Sequence, residues 1–192
     1  MKTYDLVGIG NAVVDVITQC DDHFLDQMGI EKGIMQLVEQ QRGETLYDAM
    51  SGRVQTPGGS VANTIDDPLG AFYASAMSDH GIDFVNPPVS GGEMPTSRSM
   101  IFVTADGERS MNTYLGISTG LSSDDVPQDV AGNAKMMFLE GYLFDQDAGK
   151  TAFREAARAT KASGGMAGIA ISDPFCVERH LWTLKPGRTA MS

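Results

Sequence analysis

The sequence predicts an α/β fold in which helices cover a mainly parallel sheet and a β-hairpin forms a separate flap. Short apolar runs ended by glycine alternate with segments of helical composition. An Asp106-Gly107 pair separates two strand-like runs, which is a strong hairpin signal. Glycine accounts for 22 of the 192 residues and lies mostly at the ends of these runs. Strands that alternate with helices are typical of parallel sheets covered on both faces.

The predicted elements follow one another along most of the chain. Strands are expected at 4–10, 12–17, 34–38, 97–104, 109–115, 135–144 and 166–172, and helices at 22–28, 39–50, 68–80 and 148–163. In the last helix one face is small and apolar: Ala152, Phe153, Ala156, Ala157 and Thr160. Residues 55–64, which contain Pro57 and two glycines, are interpreted as a loop that enters a helix.

The charge balance limits the classes of partner. The chain has 14 basic and 25 acidic residues and a formal net charge of −11. A surface with this much negative charge repels nucleic-acid phosphates and anionic lipids. We therefore expect neither nucleic acid nor a membrane as partner. No signal peptide is recognised, and Cys20 and Cys176 form no CxxC pattern, which favours reduced thiols and a cytoplasmic location. No metal site is indicated.

Asn11 and Asp15 are candidate substrate-binding residues because they follow the first predicted strand. In open α/β sheets the ligand crevice lies outside the carboxyl ends of the strands. An amide and a carboxylate four residues apart can both bind neighbouring hydroxyl groups of a sugar. The alternative is that they only form a turn, since both residue types are common there.

Gly58, Gly59 and Asn63 form a second candidate group. Two glycines before a helix let the backbone approach a ligand closely, and the first amides of a helix bind oxygen-rich groups. Asn63 could turn its side chain toward the same ligand. The alternative is an ordinary glycine turn in which Ser60 caps the helix.

Arg109 and the Gly8-Ile9-Gly10 segment complete the candidates. Arg109 follows the hairpin turn and could meet a phosphate, or it could be a solvated arginine. Gly8-Ile9-Gly10 invites a dinucleotide-binding interpretation, with NAD as ligand. That fingerprint requires glycine at position 13, where the sequence has Val13.

Together these motifs resemble the N-terminal part of the PfkB-type, or ribokinase-like, carbohydrate kinases over roughly residues 3–180. The resemblance is carried by Gly8-Ile-Gly-Asn-Ala-Val-Val-Asp15, Thr56-Pro-Gly-Gly-Ser-Val-Ala-Asn-Thr64, Asp106-Gly-Glu-Arg-Ser110 and Gly141-Tyr142. Gln36 and the Gly-Gly-Ser before Asn63 are most similar to the adenosine kinase branch. The resemblance implies one incomplete α/β domain over 1–192, a three-layer α/β/α architecture with a small β lid whose strands lie around 11–18, 34–38 and 97–115.

The resemblance also implies an activity. The family transfers the γ-phosphoryl group of ATP, with Mg²⁺, to a hydroxymethyl group of a sugar or ribonucleoside, and adenosine is favoured here. Another sugar kinase of the family, such as a ribokinase or fructokinase, and a non-catalytic sugar- or nucleoside-binding remnant are alternatives. The protein is expected to be either a monomer or a homodimer.

The resemblance assigns a role to each candidate residue. Asp15 would hold ribose hydroxyls, and Arg109 would meet the transferring phosphate. The remaining sugar contacts would come from Asn11, Gly58, Gly59 and Asn63, and the base or substrate pocket under the lid would be lined by Gln36, Met111, Leu115 and Tyr142.

Two departures from the family pattern affect the expected activity. After Thr64 the family continues a helix and then a strand, whereas Pro68 stops the helix here, so a stretch is expected to be missing near Ile65. The family's catalytic base is the Asp of a Gly-Ala-Gly-Asp element, which does not occur in this sequence. We therefore assign no catalytic residue and expect no kinase activity from these 192 residues by themselves.

Overall fold

The computed structural model describes residues 2–59, 67–86, 88–92, 94–171, 177, 178 and 180. The strands are β1 (Tyr4–Ile9), β2 (Ala12–Gln19), β3 (Met35–Leu37), β4 (Val54–Gly59), β5 (Ser97–Val103), β6 (Arg109–Tyr114), β7 (Ala134–Glu140) and β8 (Met166–Ala170). The α-helices are α1 (Asp22–Met28), α2 (Gln40–Ala49), α3 (Pro68–Asp79), α4 (Gln128–Gly132) and α5 (Asp147–Ala162). Backbone contacts divide the chain into two compact units. The first contains the described residues up to Asn11 and from Thr119 onward, and the second contains those from Ala12 to Ser118 except for residues 60–63.

The first unit is built on a parallel three-stranded sheet in the order β1-β7-β8. Helix α5 packs against β7 and β8, and its buried face includes every residue of the apolar face predicted from the sequence: Ala152, Phe153, Ala156, Ala157 and Thr160. The Thr160 hydroxyl donates a hydrogen bond to the carbonyl of Ala131 over 2.9 Å, which ties α5 to α4. The predicted helix face is confirmed.

The second unit is built on a mixed five-stranded sheet in the order β3-β6-β5-β2-β4. β2 pairs parallel to β5 and antiparallel to β4, and β6 pairs antiparallel to β5 and parallel to β3. Helix α2 packs on β5 and β6 over one face, where Val14, Val16, Met100 and Phe102 are fully buried. The strands expected around 11–18, 34–38 and 97–115 all belong to this one sheet.

Local signals placed several element ends correctly. The Asp21 side chain caps α1 by accepting the amide of Phe24, and Gly29 ends that helix with φ of +60°. Pro68 begins α3, as the sequence predicted. The hairpin between β5 and β6 turns through Gly107, whose φ of +86° explains the Asp-Gly pair.

Two sequence predictions are corrected. The segment interpreted as a loop contains β4, an edge strand paired antiparallel with β2. Pro57 and two glycines are weak strand formers. An edge strand nevertheless tolerates proline, which has no N–H, because the open side of the strand has no neighbouring strand that needs a donor. The strand expected over 135–144 ends at Glu140, and residues Gly141–Asp145 form a 3₁₀ turn.

The observed architecture confirms the α/β class, with a parallel sheet, a mixed sheet and helices packed against them. Within the part of the chain that the structure describes, no helix is both long and apolar enough to cross a membrane.

Candidate functional site

Asp15 is the centre of the candidate site in the second unit. It lies in the middle of β2 and its side chain is half-buried. Burial raises the pKa of this carboxyl group above its ordinary value. Its carboxylate accepts no hydrogen bond from any residue that the structure describes. Since no described residue supplies a donor that would offset its desolvation, the carboxylate can accept donors from a ligand.

Gly58 leaves the space that the Asp15 carboxylate occupies. A Cβ on Gly58 would lie 2.6 Å from Oδ2 and 2.8 Å from Oδ1 of Asp15, closer than any real side chain could approach. Gly58 pairs with Val13 across the edge of the sheet, two residues from Asp15. Next along β4, Gly59 adopts a φ of +67°, a conformation that favours glycine. The two glycines predicted to let the backbone approach a ligand therefore adjoin the carboxylate predicted to bind it.

A row of polar side chains crosses the sheet through Asp15. The register aligns Thr56, Asp15, Ser99 and Thr113 on adjacent strands, so all four side chains lie on one face. The hydroxyls of Ser99 and Thr113 are hydrogen-bonded to each other at 2.9 Å. We call these four residues the polar row and the side of the sheet that carries them the Asp15 face. The polar row places one carboxylate and three hydroxyls side by side.

An apolar row runs next to the polar row on the same face. It lies two residues further along the strands, about 7 Å away, and consists of Val54, Ile17, Ile101, Met111 and Met35. Val54 and Met35 are exposed, at 62% and 41%. Met111, predicted to line the substrate pocket, belongs to this row. The Asp15 face therefore combines the polar row with an apolar surface.

Arg109 also lies on the Asp15 face, beyond the apolar row. It is the first residue of β6, pairs with Val103, and is four residues from Thr113, which corresponds to about 13 Å along the strand. Its side chain is exposed and makes no hydrogen bond or ion pair with the described residues. The guanidinium is therefore available to an anion at the hairpin end of this face.

Gln36 and Leu115 do not join the polar row. Gln36 pairs with Asn112, so the register puts both on the face opposite Asp15, where Nε2 of Gln36 donates to Oδ1 of Asn112 over 2.8 Å. Leu115 is half-buried just beyond β6, and its carbonyl accepts hydrogen bonds from the Ser97 and Ser118 hydroxyls. Their contact with a substrate stays a prediction.

Asn11 and Tyr142 belong to the first unit. Asn11 follows β1 and is 8% exposed, and its backbone N–H donates to Oε2 of Glu140 over 2.7 Å. Glu140 is the last residue of the neighbouring strand β7, and Tyr142 follows it, 38% exposed. All three lie at the carboxyl edge of the parallel sheet, where α/β proteins bind ligands. The sequence predicts one strand over 135–144 and does not single out Glu140; the glycine that follows it, Gly141, was the available signal of a strand end.

Two predictions remain: a substrate contact by Asn63 and the absence of a metal site. Asn63 lies outside the described residues. Among the residues that are described, no three His, Cys, Asp or Glu side chains gather closely enough to hold a metal ion.

Comparison with known proteins identifies the family. The family model described as pfkB family carbohydrate kinase matches residues 61–177. A crystal structure of adenosine kinase from Sinorhizobium meliloti is 42% identical, with a TM-score of 0.81, and the alignment covers 92% of this chain and 59% of that one. A structure described as a probable sugar kinase from Rhizobium etli CFN 42 is 37% identical, with a TM-score of 0.81, over 94% of this chain and 59% of that one.

A curated relative points in the same direction. Guanosine-inosine kinase of Escherichia coli K12 is 23% identical over 161 residues, which cover 72% of this chain and 37% of that protein. The chain thus spans a little over a third of this relative and about three fifths of the two solved ones. The family match extends over more than half of the chain, and the motifs around Asp15 and Gly58 that resembled this family adjoin each other in the second unit. The chain belongs to the pfkB family of carbohydrate kinases.

Proposed function

We propose that the protein is a nucleoside kinase that transfers the γ-phosphoryl group of ATP to the hydroxymethyl group of a ribonucleoside, with adenosine as the favoured acceptor. The observation that carries the proposal is the half-buried Asp15 carboxylate, which lies against Gly58 without a hydrogen-bond donor among the described residues. Membership of the pfkB family and the 42% identity to an adenosine kinase support the reaction class and the acceptor.

Asp15 is proposed to bind the two ribose hydroxyls. An ionised carboxylate has two acceptor oxygens and can take a hydrogen bond from each member of a cis-diol. Ser99 and Thr113 extend the polar row beside it, and either hydroxyl can donate or accept. Donors from the sugar would replace the water that Asp15 loses by burial.

The apolar row favours a nucleoside over a free sugar. A free sugar has hydroxyl groups on every side and gains little from apolar surface, whereas a nucleoside carries a flat base beside its ribose. Ile17, Ile101 and Met111 lie one row from Asp15, about 7 Å away. This spacing suits a ligand whose polar and aromatic parts are directly joined.

Phosphoryl transfer would need further groups. The acceptor oxygen forms a bond to the γ-phosphorus, the bond from that phosphorus to ADP breaks, and the hydroxyl proton passes to a base. Arg109 is proposed to bind the transferred phosphate. Mg²⁺ would arrive with ATP and neutralise phosphate charge; such ions are held mainly by phosphates and by one or two carboxylates. The base is not assigned, because the sequence has no Gly-Ala-Gly-Asp element.

A second candidate function is a nucleoside-binding protein without transfer activity, because the half-buried Asp15 carboxylate supports nucleoside binding but does not by itself support transfer. Both candidates predict adenosine binding, but only a kinase needs a place for the phosphate of its product. AMP, the product of adenosine phosphorylation, therefore distinguishes them. In a kinase acceptor site, Arg109→Met weakens AMP binding and leaves adenosine binding unchanged.

The test is isothermal titration of the 192-residue chain with adenosine, AMP, guanosine, inosine and ribose. Asp15→Asn is expected to lower adenosine affinity about tenfold or more, the range for hydrogen bonds to a charged group. Asp5→Asn, which replaces an exposed carboxylate by the same amide, is the matched control. Arg109→Met is expected to lower AMP affinity about tenfold. Unchanged adenosine affinity in Asp15→Asn would sink the proposal, and AMP binding independent of Arg109 would favour the second candidate.

Turnover is measured separately by coupled ADP release with adenosine and ATP. The sequence-based expectation for this polypeptide alone is no release. Steady release that Asp15→Asn abolishes would overturn that expectation and establish the transferase directly.

A further inference from the structure

Arg109 lies between two residues, Asp106 and Ser110, whose side chains bind the same short loop, residues 30–34. On its N-terminal side is the β5–β6 turn, and on its C-terminal side is Ser110, which is almost completely buried. Lys32 binds the turn and Gly33 binds Ser110. The chain is therefore held at Asp106, three residues before Arg109, and at Ser110, immediately after it.

Lys32 bridges two carboxylates from different elements. Its Nζ lies 2.6 Å from Oδ1 of Asp22 in α1 and 2.7 Å from Oδ2 of Asp106 in the turn. These contacts raise the pKa of Lys32 and lower the pKa of Asp106, so both groups remain charged over the physiological pH range. Lys32 thus links the hairpin turn to α1 within the second unit.

Asp106 transmits this contact to the turn itself. Its Oδ1 accepts the Thr104 hydroxyl at 2.6 Å and the Glu108 amide at 3.3 Å. The turn is closed by the Gly107 amide, which donates to the Thr104 carbonyl over 2.8 Å, and by the Thr104 amide, which donates to the Glu108 carbonyl over 3.1 Å. Fixing Asp106 therefore also restrains Thr104, Gly107 and Glu108, the turn residues that precede Arg109.

Gly33 supplies the second attachment. Its amide donates to the Ser110 hydroxyl over 3.0 Å, and the next residue, Ile34, accepts the Met111 amide over 2.8 Å. Gly33 has a φ of +77°, and a Cβ there would lie 3.2 Å from Oε2 of Glu108. The position thus favours glycine for its backbone conformation, while the exposed Glu108 side chain could shift slightly to accept a Cβ.

We propose that Lys32 and Gly33 are positioning residues for Arg109: they fix the β5–β6 turn and the start of β6, so that the guanidinium projects from a fixed point on the Asp15 face. This inference rests on the proposed function in so far as Arg109 is the phosphate ligand. The contacts within the turn can be tested without any ligand.

The first measurement is amide hydrogen exchange of the full chain at Gly107 and Thr104. Lys32→Met is expected to speed exchange there about two- to fivefold, the range for exposed ion pairs, and Lys32→Arg is expected to restore it. Lys135→Met breaks the Lys135–Asp5 ion pair of the first unit and is the matched control. Unchanged turn exchange in Lys32→Met, or equal acceleration in Lys135→Met, would overturn the proposal.

The second measurement links the turn to Arg109. Lys32→Met is expected to weaken AMP binding about two- to fivefold, to leave adenosine binding unchanged, and to have no further effect when Arg109→Met is already present. An equal loss of AMP affinity in both backgrounds would show that Lys32 does not act through Arg109. Gly33→Ala, which disturbs the second attachment, provides an independent variant with the same expected pattern. If AMP does not bind the wild-type chain, the proposed function fails, while hydrogen exchange still decides whether the turn is held.

Discussion

Gly58 lies so close to Asp15 that a Cβ on the glycine would be 2.6 Å from the nearer carboxylate oxygen. The contact joins the edge strand β4 to the central part of the sheet, because Gly58 and Asp15 lie on neighbouring antiparallel strands. It brings two motifs more than forty positions apart in the sequence into the same candidate site. Gly58 is required because any side chain there would overlap the carboxylate, whereas the neighbouring Gly59 has the backbone conformation that favours glycine.

Gly58→Ala is expected to push the Asp15 side chain out of its position. Adenosine affinity should fall about tenfold or more, and thermal stability should fall less, because a short carboxylate can rotate away from the new methyl group. Titration calorimetry and thermal unfolding measure the two effects. Gly120→Ala, where an added Cβ meets nothing within 4 Å, should change neither. Equal adenosine affinity in Gly58→Ala and wild type would contradict the assignment of this site.

Asp15→Asn is expected to raise stability near neutral pH while it removes binding. Burial raises the pKa of Asp15. The contribution of this group to folding stability is therefore fully present below the ordinary aspartate pKa of about 3.9, and it is lost as the pH rises through the raised pKa. The melting temperature of Asp15→Asn should therefore exceed that of wild type at pH 7 and match it at acid pH.

The control for that pH dependence is Asp5→Asn. Lys135 lowers the pKa of Asp5, so this carboxylate stabilises the fold above the ordinary aspartate pKa and ceases to do so as the pH falls. Asp5→Asn should thus be neutral or slightly less stable than wild type at pH 7. A lower melting temperature for Asp15→Asn than for wild type at pH 7 would show that an unseen donor stabilises the ionised carboxylate.

Ser99 and Thr113 are expected to be energetically coupled. Each single variant, Ser99→Ala or Thr113→Val, leaves one hydroxyl of the pair without its partner and should cost about 1 kcal/mol of unfolding free energy. The double variant should cost less than the two single effects added together. Urea unfolding of the four proteins gives the coupling free energy. Strict additivity would mean that the hydroxyl pair does not form in solution.

Two helix glycines should respond oppositely to alanine. Gly149 in α5 is buried, and a Cβ there would lie 2.5 Å from the carbonyl oxygen of Leu143, so Gly149→Ala should destabilise by about 1–3 kcal/mol. At Gly132 in α4 an added Cβ meets nothing within 4 Å, so Gly132→Ala should be neutral or stabilising by up to about 1 kcal/mol. Urea unfolding distinguishes the two. A stabilised Gly149→Ala variant would show that α5 can shift away from Leu143.

Local signals made much of the fold predictable. The apolar face of α5, the capped start of α1 and the Asp-Gly hairpin all depend on residues within one or two turns of each other. The edge strand β4 was missed because Pro57 and two glycines have low strand propensity, and its pairing with β2 overrides that local preference. The same pairing brings Gly58 to Asp15, so the missed strand is the one that carries the glycines of the candidate site.

The sequence by itself determined the family: the motifs around Asp15, Gly58 and Arg109 resemble those of pfkB carbohydrate kinases, and they predict which residues bind the substrate. Only the tertiary structure decided which of them share a face. Alternation along a single strand tells which neighbours point the same way, but the register between strands depends on long-range pairing. That register aligned Ser99 and Thr113 with Asp15, placed Gln36 on the opposite face, and brought Lys32 to the turn before Arg109.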